Sequence, residues 1–480
     1  MPAGFTPNGG VQEPARDLPI AQTPEVLVVG GGIAGFMAAL AAGRSGARTL
    51  LVERFGSLGG TGTAAMMSLF YVPYAASRGL VRELFDRLIA QRGATPGEFV
   101  VYDAEIYKVT ALDMLAEAGV QVLLHTLVSD VILKGNTLRG IVVENKSGRQ
   151  AILSPVAVDA SGDADLAARA GAPYVKGREA DSKMRPMTLI FRLGGVDVRR
   201  LVEYVRAHPE DFSPDPLQCM LDLEGQMVRI FGFFKVVEEA KARGELWPEC
   251  YYFRVECVLP ARGVLTVNAT RVYGVDGTKA EDLSRAESET RHQMLQLAAF
   301  ARKYIPGFER SWIVDSASTI GVRETRRIRG GYIMTEEDIL AGRHYEDVVA
   351  VDANQQNPRQ QGGHPPDGKE GGPQDIEARE LIARMFVYEV PYRCLVPQEV
   401  DGLLVAGRCI SVDHHADVYT RNQGSCMATG EAAGVAAAVV AADTVPPRSV
   451  DVAKVQAGLR KLGVDLDLLQ RLGPTPERLE

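Results

Sequence analysis

The 480-residue sequence predicts an α/β fold in which a Rossmann-type parallel-sheet domain is split along the chain. An α+β domain containing antiparallel strands is inserted between its two halves. Three observations predict this. A short apolar run, Glu25 to Val29, leads straight into Gly30-Gly31-Gly32-Ile33-Ala34-Gly35 and a helix-forming stretch. A second glycine-terminated strand, Leu403 to Ala406 ending at Gly407-Arg408, lies near the other end. Between them, MTLIFRLGG, YYFRVECVLP and GVLTVNATRVYG alternate apolar and polar residues, the period of antiparallel strands with one solvated face.

Composition narrows the class before any motif is read. Apolar residues are 46% and charged residues 24%, ordinary for a globular chain and wrong for a collagen, a coiled coil or a disordered protein. A net charge of -8 gives no electrostatic case for nucleic acid or an anionic membrane. The six cysteines, Cys219, Cys250, Cys257, Cys394, Cys409 and Cys426, form no CxxC, so neither a zinc site nor a thioredoxin-like pair is expected, and no metal is called for. Few cysteines in a long chain suggest reduced thiols and a cytoplasmic location. The apolar run near residue 435 is shorter than a membrane helix needs and reads as a buried helix.

Residues 1–24, rich in Pro and Gly, are expected to be a flexible tail. In the first half of the split domain, residues 25–178, each glycine has a purpose. Gly30 permits the tight turn, Gly32 lets the backbone approach a pyrophosphate, and Gly35 lets helix and strand pack closely. Ile33 and Ala34 complete the loop, whose helix N-terminus offers unpaired N–H groups to phosphate. A second apolar strand, Arg48 to Val52, ends at Glu53, 18 residues beyond Gly35. That is the spacing of a carboxylate that accepts ribose hydroxyls, a charged hydrogen bond worth roughly 1.5–3 kcal/mol. Arg54 follows it, and Gly59-Gly60-Thr61 suits a second close backbone contact with the nucleotide. Val120 to Leu124 and Thr126 to Val128 continue as extended chain, then a meander, then the buried strand Val156 to Ala160. Ser161-Gly162-Asp163 closes that strand.

The order GGGIAG, E, LGG, VDASGDADLAARAG resembles the glutathione-reductase-type FAD-binding domain. With GVRETRRI (Gly321 to Ile328), VPYRCLVPQEVDGLLVAGRCIS (Val390 to Ser411) and GSCMATGEAAGVAAA, the chain resembles an FAD-dependent oxidoreductase family from Glu25 to Ala442. The resemblance implies FAD as cofactor and a two-electron reaction on a small-molecule substrate, and leaves the substrate and the electron partner open. It implies nucleotide contacts at the residues above, at Val128, at Gly407 and Arg408, and at Gly424 and Met427 of a glycine- and alanine-rich helix. The N-terminus of that helix is expected at the flavin pyrimidine edge. No His follows Gly59-Gly60, which weakens the comparison with succinate-dehydrogenase-type covalent attachment. No cysteine precedes Cys219, so the glutathione-reductase-type disulfide is absent.

Residues 179–390 are expected to be the substrate domain, with a flexible loop at 354–375, and 391–445 the returning half of the FAD domain. Residues 446–480 read as a helix and a polar tail. The richest polar segment beside the expected flavin is SVDHHADVYTRNQG. His414 and His415 are candidates for managing the substrate proton, with Tyr419 beside them and Arg421 orienting substrate or flavin. Arg323 and Arg326 of GVRETRRI are candidates for holding an anionic substrate. The leading expectation is hydride transfer between a small organic substrate and flavin N5. A flavin monooxygenase or reductase using NAD(P)H is the alternative enzyme, and a flavin-bound electron-transfer or scaffold subunit the non-enzymatic one. Homo-oligomerisation is left open.

Overall fold

The computed structural model describes residues 4–5, 11–12, 15–97, 99–215, 218–223, 227–259, 263–354 and 386–472. Its central sheet is parallel and five-stranded. In chain order the elements are β1 (Val26–Val29), α1 (Ile33–Arg44), β2 (Thr49–Val52), β3 (Gln121–Leu123), β4 (Val156–Asp159), β5 (Leu403–Val405) and α2 (Gln423–Asp443). The spatial order is β5-β4-β1-β2-β3. All residues of β1, β2, β4 and β5 are buried, as parallel strands covered on both faces should be. Strand β5, far along the chain, closes the edge by pairing Leu403 with Ala157 and Val405 with Asp159.

Glycines set how closely the layers approach. A Cβ on Gly35 would lie 1.7 Å from the Gly30 carbonyl, so only glycine lets α1 sit this near its own strand. On the other side, Cβ atoms on Gly430 and Gly434 would lie 2.2 and 2.1 Å from the carbonyls of Ala34 and Ala38. Helices α1 and α2 therefore touch backbone to backbone. By length and composition α2 could cross a membrane, but 78% of its apolar window is buried inside the protein, where it packs on α1. It is a core helix, as its Ala-rich sequence predicts.

The inserted domain is built on a six-stranded antiparallel sheet. Its order is 220–222, 227–232, 253–259, 264–267, 191–194, 312–316. One face carries Phe191, Leu193, Val228, Ile230, Phe253, Val255, Leu265 and Val267. Helices Val198–Ala207, Phe234–Ala242 and Ala280–Tyr304 cover that face with Leu201, Val205, Val237, Leu297 and Phe300. The opposite face is left for the cavity described below. Thr335 caps helix Glu336–Leu340 in a capping box with Asp338.

Two boundaries differ from the sequence reading. Ile20–Gln22 is not loose tail: it adds a parallel strand to the meander by pairing with Ala151 and Ile152. Residues assigned to the inserted domain also return early to the first core. Ile328, Met334, Ile339, Val349, Ala350, Tyr388 and Val390 share one apolar cluster with β1 and α2. The hairpin Val348–Asn354 with Phe386–Pro391 packs along α2, which supplies the apolar surface that it needs. The loop expected at 354–375 lies outside the described residues except for Asn354, which ends a strand.

Glu431 of α2 is 3% exposed and its Oε1 accepts a 3.4 Å hydrogen bond from the Leu80 backbone N–H. Burial pushes its carboxyl up from 4.5 to about 8. In the unfolded chain the same group ionises near 4.5, so between about pH 4.5 and 8 unfolding releases a proton. Stability is then lost as pH rises, by at most about 1.4 kcal/mol per unit. Glu431→Gln should remove this slope, its melting-temperature advantage over the parent growing from about pH 5 to about pH 8. Parallel melting profiles for the two proteins would contradict it.

Candidate active site

The turn after β1 fits a nucleotide by what it leaves empty. Gly30 has φ of +96°, and a Cβ there would lie 2.6 Å from the Ala160 carbonyl, so a side chain is excluded. Gly32 differs. Its φ is -67°, and a Cβ would meet nothing within 4 Å. Gly32 caps α1 without any side-chain hydrogen bond, and no acid stands in the first turn. The helix N-terminus therefore presents bare N–H groups and partial positive charge to open space. Gly59 bridges to Gly32 and donates from its N–H to the Gly31 carbonyl at 2.8 Å, which brings the second glycine segment against the first.

Glu53, 6% exposed, ends β2 beside this cradle. Its Oε2 accepts from the Gly31 N–H and its Oε1 from the Phe55 N–H at 2.8 Å. The carboxylate thus holds the glycine turn in shape, a duty its spacing alone does not reveal. Each oxygen retains a second lone pair for a ribose hydroxyl.

The next turn is organised by a residue the sequence reading passed over. Asp159, fully buried at the end of β4, accepts from Ser161 N–H, Ser161 Oγ and Ala167 N–H. It shapes Ser161-Gly162-Asp163, where Gly162 has φ of +80°. Asp163 then accepts from Arg408 Nη2 at 2.6 Å and from Thr325 Oγ1 at 2.7 Å. Burial opposes charge on Arg408, yet Asp163 beside it holds the guanidinium above its ordinary range. Arg408 Nε is buried without a hydrogen-bond partner.

These turns open onto one cavity of about 920 Å³, large even for a cofactor site. Its glycine-rich end is lined by Gly30, Gly32, Ile33, Ala34, Glu53, Arg54, Gly60, Thr61, Val128, Ser161, Gly162, Asp163, Gly407 and Arg408. Asn422, Gln423 and Cys426 bring the start of α2 to the same space. Burial pushes the Cys426 thiol up to about 12, consistent with a small apolar residue rather than a nucleophile. The cavity continues to the polar face of the inserted sheet, where Tyr71, Phe231, Tyr252, Arg254, Asn268 and Arg271 line it with Arg323 and Arg421.

Several expected residues stand elsewhere. His414 is 2% exposed, and its Nδ1 lies 2.8 Å from Glu324 Oε1 in a buried network with Arg185, Arg327 and Asp417. The network needs a hydrogen-bonding ring there, and His414 does not line the cavity. His415 is exposed on the outer side of the same turn. Tyr419 is buried against Tyr388, outside the cavity lining. Arg326 donates to the Asp163 carbonyl and to Asp165 Oδ1, both at 2.9 Å, and so ties two segments together instead of reaching a substrate. Gly35, Gly59, Gly424 and Met427 shape the walls from behind. A Cβ on Gly424 would lie 2.2 Å from Val72, and Met427 is wholly buried. Arg421 does reach the cavity. Burial, and Arg185 nearby, bring its guanidinium down to about 10, which leaves it charged at neutral pH.

The family model described as FAD dependent oxidoreductase matches residues 25–459. No curated protein sequence matches the chain. Similar solved structures include a geranylgeranyl bacteriochlorophyll reductase-like protein from Thermoplasma acidophilum, 14% identical, with 94% of this chain and 84% of that one covered and a TM-score of 0.44. The flavin-dependent brominase Bmp2 is 13% identical over 92% of this chain and 83% of its own, with a TM-score of 0.47. The p-nitrophenol 4-monooxygenase PnpA from Pseudomonas putida DLL-E4 is 11% identical over 95% and 87%, with a TM-score of 0.42. Likeness this distant carries no reaction or substrate across.

Gly32 separates folding from ligand binding. Gly32→Val places its side chain in open cavity with an allowed backbone, so the chain should fold with an unchanged melting temperature while the bound dinucleotide, read as absorbance per chain, falls at least tenfold. Gly35→Val, which collides with the Gly30 carbonyl, should lower the melting temperature itself. Full dinucleotide content in Gly32→Val would contradict the cradle.

Proposed function

The chain belongs to the FAD dependent oxidoreductase family, and on that premise we propose that it transfers a hydride between a small organic substrate and flavin N5. One observation carries the reading: a single cavity runs from the glycine cradle to a wall of tyrosines and arginines on the inserted sheet. The residues at the first end suit FAD. The bare N-terminus of α1 with Gly32 would take the pyrophosphate, Glu53 the ribose, and Thr126 to Val128 would flank the adenosine. Gly407, Arg408 and the start of α2 would stand beside the ring system. FAD, when bound there, supplies a two-electron carrier.

The chain's own groups do the rest. Arg421 and Arg323 offer fixed positive charge between the two ends of the cavity. Because neither histidine faces the cavity, the groups placed to handle a substrate proton are the hydroxyls of Tyr71 and Tyr252. Tyr71 Oη accepts from Arg229 Nη2 at 3.1 Å and Arg254 Nη2 at 3.0 Å, so it can donate its proton when hydride passes from flavin to substrate; when the substrate is oxidised, its proton passes to water in the open cavity. Tyr252 Oη accepts from Arg271 Nη2. A cytoplasmic site of action belongs to the same reading, supported by Cys219, Cys250, Cys394, Cys409 and Cys426 all being free thiols.

Anaerobic rapid mixing of the FAD-loaded protein tests the proposal. An organic donor with an oxidisable C–H should bleach the flavin absorbance without any nicotinamide, while NADH or NADPH alone leaves it oxidised. Fast bleaching by NADH or NADPH alone would favour a reductase or monooxygenase instead. Bleaching by dithionite only would favour an electron-transfer or scaffold role.

A further inference from the structure

The strand Phe253–Leu259 turns Phe253 and Val255 into the apolar core. Alternation then places Arg254 and Glu256 on the other face, where Arg254 lines the cavity. Across the ladder Arg254 pairs with Phe231, and Glu256 with Arg229. Arg229 and Arg254 both bind Glu256, so two guanidiniums share one adjacent carboxylate. Both hydrogen bonds of Arg254, to Tyr71 Oη and to Glu256, leave from Nη2, and its Nε is buried without any hydrogen-bond partner. Arg254 itself lines the cavity, so a ligand acceptor there meets a guanidinium already fixed in position by Glu256 and Tyr71.

Arg271 comes to the same wall from just beyond the neighbouring strand. Its Nη1 donates to Thr188 Oγ1 and to the Thr270 carbonyl, both at 2.7 Å, and its Nη2 donates to Tyr252 Oη. The fork is thereby locked in one orientation beside Asn268. The same lining carries apolar Ile190, Met67, Phe231 and Phe234, with Glu210, Asp211 and Lys235 beside Phe234.

We infer that this wall is a carboxylate-binding subsite centred on Arg254 and Arg271, and that the substrate is a small organic anion with an apolar body. A planar carboxylate matches the guanidinium fork, and its second oxygen can accept from a tyrosine or asparagine. The apolar side chains then hold the rest of the molecule between the subsite and the nucleotide end. The inference rests on reading the far end of the cavity as the substrate site.

Titration of the FAD-loaded protein with benzoate and with benzyl alcohol, followed by calorimetry, tests it. The two probes share a ring and differ in charge. Benzoate should bind at least tenfold more tightly, and its advantage should shrink as salt is raised. Arg254→Met and Arg271→Met should each weaken benzoate at least tenfold at unchanged FAD content. Arg254→Lys, which keeps a charge against Glu256 and so protects the fold, should still weaken it several-fold. Equal binding of the two probes by the parent protein, or folded variants that keep benzoate affinity, would overturn the subsite. Binding needs no turnover, so the two claims fail separately. If benzoate binds through Arg254 but no carbon donor reduces the flavin, hydride transfer fails and the subsite stands. If donors reduce the flavin and benzyl alcohol binds as well as benzoate, the subsite fails and hydride transfer stands.

Discussion

Helix α1 lies between two surfaces that leave no room for side chains. On one side the Gly30 carbonyl comes within 1.7 Å of where a Cβ of Gly35 would be. On the other, Gly430 and Gly434 of α2 meet the carbonyls of Ala34 and Ala38 at similar range. These contacts join parts of the chain nearly four hundred residues apart in sequence. Because α1 cannot move relative to β1, its bare N-terminus stays aimed at the cradle. Because α2 cannot move relative to α1, the start of α2 and the Gly407-Arg408 turn stay on the same cavity. The insertion of a whole domain between β4 and β5 is tolerated because the returning segment is fixed by packing, not by its connection.

From this frame the chemistry divides by polarity. The glycine-rich end presents backbone, with N–H groups, glycine clearances and acids that shape turns. Glu53 and Asp159 both spend carboxylate oxygens on neighbouring N–H groups, so that the turns hold their form before any ligand contributes. The far end works through side chains on a rigid antiparallel sheet. There the cations are arginines held by tyrosine, threonine and carboxylate partners. Rigid strands hold such groups more accurately than loops do.

The glycine-rich end of the cavity was legible in the sequence because backbone requirements leave a trace in residue type. A position that excludes a Cβ must be glycine, as the turn at Gly30 and the helix contact at Gly35 require, whereas Gly32 leaves open space in front of the helix. The substrate end was less legible. Proximity in sequence to the flavin helix suggested His414, His415 and Tyr419, but a short helical turn faces several ways. Of the four side chains expected to act there, only Arg421 lines the cavity, while His414 completes a buried ion network. Arg254 and Arg271 could have been found by following alternation through YYFRVECVLP and GVLTVNATRVYG. Phe253 and Val255 are apolar, so Tyr252, Arg254 and Glu256 must share the other face. What alternation cannot say is which face meets the cavity, because that depends on how the inserted domain docks. The early return of residues 326–354 to the first core was hidden for the same reason.

The most direct test of this account is a structure of the protein with FAD bound. The account predicts the pyrophosphate against the N-terminus of α1 at Gly32, with Glu53 at the ribose. The ring system should lie beside Gly407 and Arg408, one side open toward Arg254 and Tyr252. A ring system turned out of the cavity, or a pyrophosphate held away from Gly32, would contradict it.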